Sequence, residues 1–136
     1  MAYGSVLTDV VQGSTASTPP QFNDGNGTQI GTLCRAWVNF NGTGTVAIRA
    51  SFNVSSITDN GTGAYTVNFT TALPDANYSA EVSVGRNTGG GGSGLGGLVG
   101  STNDSVAPTT SAVNVVTFNY NWSNADSPYI SVSVFR

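Results

Sequence analysis

Between Leu33 and Phe69, apolar and polar residues trade places at almost every step, in runs separated by clusters of Asn, Asp, Thr and Gly. In the first run Ala36, Val38 and Phe40 share one face, with Arg35, Trp37 and Asn39 opposite. In the second, spanning 45–54, Val46, Ile48, Ala50, Phe52 and Val54 share a face, opposite Thr45, Ala47, Arg49, Ser51 and Asn53. In the third, Tyr65, Val67 and Phe69 alternate with Thr66, Asn68 and Thr70. A period of two belongs to the pleated strand, whose successive side chains point to opposite sides. The separators Asn41-Gly42-Thr43-Gly44 and Asp59-Asn60-Gly61-Thr62-Gly63 are turn sequences, because Asn and Gly tolerate the positive φ of tight hairpins. They make Ile57 to Phe69 a hairpin.

The same signals recur along the chain. Asn23-Asp24-Gly25-Asn26-Gly27 is a turn cluster, and Tyr78, Ala80, Val82 and Val84 alternate after a break at Leu73-Pro74-Asp75-Ala76-Asn77. Proline cannot donate to a ladder, so that break ends a strand. Val113 to Trp122 and Tyr129 to Phe135 give two closing strands. No segment sustains the spacing of an amphipathic helix. The expected fold is all-β, an antiparallel sandwich or small barrel of about six to eight strands.

A length of 136 residues suits one domain of this kind. The expected division is an extended N-terminal arm over 1–30, containing the Ser/Thr/Pro stretch Gly13–Pro20, and a sandwich over 31–136. A Gly-rich loop over 86–103 interrupts the sandwich. Loops that long within a compact domain are uncommon and usually mean function or disorder.

Composition narrows the chemistry. Charged residues make up 8 % of the chain, against a usual share of about 25 %. There is no Lys and no His. The net charge of −3 and the scattering of Arg35, Arg49, Arg86 and Arg136 argue against nucleic acid as a partner. No apolar run approaches a membrane span, and Met1-Ala2-Tyr3-Gly4 lacks the basic start of a secretory signal. Synthesis in a cytoplasm without membrane insertion is expected.

Catalytic and metal motifs are hard to find. Gly92, Gly94 and Gly97 match the spacing of a dinucleotide fingerprint, but no helical pattern follows to hold a pyrophosphate. Asp9, Asp24, Asp59, Asp75, Asp104 and Asp126 nearly all lie in turn contexts, where the carboxylate binds local backbone. Glu81 is the one acid in a strand, on the face expected to meet solvent. Cys34, without a His to activate it, reads as a buried small hydrophobe. Asp24-Gly25-Asn26-Gly27-Thr28 lacks the later acids of a calcium loop, and zinc would need more Cys or a His. An enzyme is not expected, and neither a cofactor nor a metal.

Ala36-Trp37-Val38-Asn39-Phe40-Asn41-Gly42-Thr43-Gly44-Thr45-Val46-Ala47-Ile48-Arg49 continues as Ser51-Phe52-Asn53-Val54-Ser55-Ser56-Ile57-Thr58-Asp59-Asn60-Gly61-Thr62-Gly63 and Tyr65-Thr66-Val67-Asn68-Phe69. This run, within a resemblance extending over 22–78, resembles a module of fibre and other virion proteins of tailed bacteriophages and prophages. The resemblance implies a homotrimeric, all-β virion component, made in the bacterial host cytoplasm. Its role would be host attachment, as a short fibre or fibre tip. The alternative is a capsid decoration, cement or head-fibre protein.

Its partners would then be copies of itself, other virion proteins and a host cell-surface glycan or protein. The receptor-facing loop expected on this reading contains Arg86, Asn87, Gly91, Gly94, Leu95 and Gly97. A flexible hairpin extension is the competing reading of the same stretch. Trp37 and Trp122 either stack on sugar rings or, the stronger reading, fill a second sheet's core or a subunit interface.

Overall fold

The computed structural model describes residues 8, 10–13, 20–85, 96–99, 106–119 and 121–136, the stretch 96–99 by its backbone. The chain divides into two compact units, 1–32 and 33–136. In the first, β1 (Phe22–Asn23) and β2 (Gln29–Gly31) pair antiparallel. Asp24 closes the turn between them: its Oδ1 accepts the backbone N–H of Asn26 and of Thr28, each at 2.9 Å.

The second unit contains β3 (Cys34–Asn41), β4 (Ala47–Phe52), β5 (Val54–Asp59), β6 (Ala64–Phe69), β7 (Ser79–Gly85), β8 (Gly96–Val99), β9 (Ala112–Phe118) and β10 (Tyr129–Phe135). They form two four-stranded sheets, ordered β4-β3-β10-β7 and β5-β6-β9-β8, with every pairing antiparallel. The fold is the all-β antiparallel sandwich expected from the alternation.

The inner faces supply the core. Ala36, Val38, Phe40, Ile130, Val132 and Val134 come from one sheet, and Tyr65, Val67, Phe69, Val113 and Val115 from the other. Each fully buried Val or Ile here contributes on the order of 1.5–3 kcal/mol relative to exposure. Phe40 and Tyr65 meet edge to face across the sandwich, with ring centroids 5.2 Å apart. Among the described residues, no buried side-chain polar atom lacks a partner.

The alternation over 45–54 does not form one strand with one apolar face. Asn53 adopts φ 54° and divides it into β4 and β5, which lie in different sheets. Asn holds this left-handed conformation at lower cost than most residues. Its side chain also ties the crossing, with Nδ2 donating to the carbonyls of Arg35 and Thr71 at 3.1 Å and Oδ1 accepting the Thr71 N–H at 2.8 Å.

A register shift inside β4 pairs Ile48 with Phe40 but Ala50 with Asn39 and Phe52 with Trp37. The bulge at Arg49 therefore separates Ile48 from Phe52, which the period of two had placed on one face. Every residue of β4 is exposed, while Val54 just beyond the crossing is buried.

Two further expectations change. The run from Val113 to Trp122 ends as a strand at Phe118; Asn119 Oδ1 then accepts the N–H groups of Asn121 and Ser123 at 2.9 and 3.1 Å, turning the chain. Within the expected loop 86–103, Gly96–Val99 is a strand, with Gly97 paired to Thr117.

Candidate functional site

Strand alternation sends Trp37 and Asn39 to the side of β3 opposite Ala36, Val38 and Phe40, which lie in the core. The pairing registers extend this outer face across the sheet. One row reads Ser83, Ser131, Asn39, Ala50, and the next Glu81, Ser133, Trp37, Phe52. Asn39 Nδ2 donates to Ser131 Oγ at 2.9 Å, which fixes the amide on the strand beside it. In these two rows the face is polar over β7 and β10 and aromatic where β3 meets β4; Tyr129, 56 % exposed, stands on the same face further along β10, paired with Gly85. Trp37 is 39 % exposed and Phe52 is 56 % exposed.

Phe52 also lines an open cleft of about 320 Å³ at the end of the sandwich where β4 crosses to β5. Arg35, Asn53, Thr70, Thr71 and Ala72 form the rest of its wall. Asn53 has its amide committed to the crossing, so the polar side chains left among the lining residues are those of Arg35, Thr70 and Thr71. Among the described residues no carboxylate pairs with Arg35; the ion pair there joins Arg136 to Asp75 at 2.5 Å.

The opposite end of the sandwich is tied by a polar network. Tyr65 Oη lies 2.9 Å from the Gly42 carbonyl and 2.8 Å from Asp126 Oδ1, and Asp126 also accepts the Gly63 N–H at 2.7 Å. Burial, followed by the hydrogen bond to the Asp126 carboxylate, holds the Tyr65 phenol well above its usual value. Ser127 Oγ donates to the Gly85 carbonyl at 2.7 Å. A side chain at Gly42 would meet Tyr65 Oη at 2.5 Å, so only Gly admits this approach. The network is structural: it joins the β3–β4 and β5–β6 turns to the segment before β10.

The remaining candidates are dispersed. Arg86, Asn87, Gly91, Gly94 and Leu95 lie outside the described residues, and Gly97 is in β8. Chain 86–95 connects Gly85, paired with Tyr129, to Gly96, paired with Phe118. Arg49 stands over the Tyr129 ring, with Cζ 4.8 Å from its centroid. Trp122, 77 % exposed at φ 61°, stacks on Phe118 at 4.9 Å. Neither tryptophan is in the core of this chain.

Asp24, Asp59 and Asp75 accept backbone N–H groups two residues on, as their turn contexts indicate, and Asp126 does so across 63 residues. Asp9 and Asp104 lie outside the described residues. Glu81 is exposed as expected. Cys34 is half-buried rather than buried, its Sγ 3.2 Å from the Ala36 carbonyl. Among the described residues no group of three or more His, Cys, Asp or Glu gathers as a metal site.

The aromatic pair was missed in the sequence because Trp37 and Phe52 stand on opposite faces in a plain alternation; only the bulge brings them opposite each other. Comparison with protein-family models, with curated proteins and with solved structures finds no match.

Proposed function

We propose that this chain is a virion surface module of a tailed bacteriophage that acts by binding rather than catalysis. Its contact surface is the aromatic corner of the β4-β3-β10-β7 sheet. The observation that carries this reading is the cross-strand pair Trp37 and Phe52, both substantially exposed beside an open cleft. Large aromatics left in water on a sheet with a well-filled core mark a binding surface. The virion assignment is supported by the sequence resemblance over 22–78.

Host attachment is the role we favour, because a cleft walled by aromatic, hydroxyl and guanidinium groups suits a polar ligand. Assembly as a homotrimer belongs to the same proposal. Among the described residues β4 is the edge strand of its sheet, a position suited to strand addition, and a monomer mass at micromolar concentration in sedimentation would sink that part.

The functional reading is tested by incubating labelled protein in parallel with intact bacterial cells and with emptied phage capsids. Binding to cells is expected. Binding to capsids alone would make the chain a decoration protein instead.

A further inference from the structure

We propose that the cleft beside Phe52 binds a carboxylate-bearing sugar ring, with Arg35 taking the carboxylate, Phe52 the apolar ring face, and Thr70 and Thr71 the hydroxyls. The inference deepens the attachment reading by naming the class of ligand, and it rests on that reading for its biological setting.

Arg35 is the charged residue of the cleft wall. Its side chain is half-buried on β3, and no carboxylate among the described residues pairs with it. A half-buried arginine whose chain supplies no counter-ion among the described residues can take one from a ligand. The planar guanidinium fork matches a carboxylate in two parallel hydrogen bonds, which favours that anion over a point-like one such as chloride.

The other described cations are differently occupied: Arg136 is paired with Asp75, and Arg49 lies over the Tyr129 ring. Arg35 is thus the described cation whose own neighbourhood is a cleft.

The rest of the wall excludes a bare carboxylate as the best fit. Phe52, 56 % exposed, offers a flat apolar surface, and Trp37 stands opposite it in register. The C–H groups on one face of a pyranose pack against such a ring while its hydroxyls remain at the edge. Thr70 and Thr71 are exposed, and among the described residues neither hydroxyl has a partner. Both can donate to and accept from a sugar hydroxyl. A volume of about 320 Å³ lies at the lower end of small-ligand sites, enough for a terminal ring and part of its neighbour. Asn53 contributes rigidity rather than contacts, since its amide holds the wall together.

The test is an NMR titration of the intact protein, read at the Trp37 indole N–H and the Arg35 side-chain N–H. The probes are galacturonate, glucuronate and N-acetylneuraminate, with galactose as the uncharged ring and acetate as the bare anion. At least one acidic sugar is expected to bind about tenfold more tightly than both galactose and acetate. Arg35→Gln should remove that advantage, and Phe52→Ala should weaken every sugar. Arg49→Gln, which removes a guanidinium that lies over the Tyr129 ring and is absent from the cleft wall, should change nothing.

Equal affinity for galactose and the acidic sugars would overturn the role of Arg35. Acetate binding as tightly as the sugars would overturn the ring contact, and no binding of any acidic sugar would overturn the site. Each of these results leaves cell binding itself to be scored separately, so failure here is distinguishable from failure of the attachment reading.

Discussion

Tyr65 and Asp126, 61 residues apart in sequence, meet at 2.8 Å between Oη and Oδ1. The Tyr65 hydroxyl has a single proton to share between that carboxylate and the Gly42 carbonyl 2.9 Å away. Tyr65→Phe leaves the carbonyl short of a donor and is expected to cost about 1–2 kcal/mol in urea unfolding. Asp126→Asn, which keeps an acceptor for the Gly63 N–H, should cost less than Asp126→Ala.

The same contact sets an alkaline limit. The folded state holds the Tyr65 phenol above its ordinary value of 10.0, chiefly through burial and then through Asp126. Its protonated form is therefore favoured by folding, and the associated stability is fully present below about pH 10. Above that, the unfolded chain loses the proton first and stability falls as pH rises. Tyr78, raised by burial as well, adds to the slope. Unfolding midpoints from pH 8 to 11 should decline at the alkaline end, and less steeply in Tyr65→Phe.

Asn53 combines a left-handed backbone with three side-chain hydrogen bonds across the crossing from β4 to β5. Asn53→Ala keeps neither advantage and is expected to cost about 2–4 kcal/mol. Asn53→Gly restores the backbone freedom alone and should fall between the two. Chemical denaturation of the three proteins checks the order; an Ala variant as stable as the parent would mean the crossing is held elsewhere.

The alternation revealed the strands because burial on one face imposes it, as at Ala36, Val38 and Phe40. It could not reveal where a strand changes sheets, since the pattern runs on through Asn53 while the chain turns away. Nor could it expose the bulge at Arg49, which moves Phe52 to the outer face beside Trp37. The Asp residues near turns were legible because their bonds are local; Asp126 was not, because its partners come from distant turns. Arg35 stood out in neither way: its significance lies in the wall that Asn53, Thr70 and Thr71 build around it.

The Gly-rich stretch and the aromatic corner make opposite predictions about recognition. Replacing residues 88–94 by a short turn spares β8, which begins at Gly96. The shortened protein is expected to fold with unchanged cell binding, measured by circular dichroism and by a pull-down on whole cells. Loss of binding with the fold intact would return recognition to the Gly-rich segment.

The most direct measurement is cell binding of the parent protein against the double variant Trp37→Ala/Phe52→Ala, both shown by circular dichroism to be folded. Both rings are substantially exposed, so the variant should retain its core. The parent is expected to bind and the double variant to lose at least about tenfold in affinity, the loss of a small aromatic hot spot. Equal binding by the two proteins would contradict the claim that this face makes the contact.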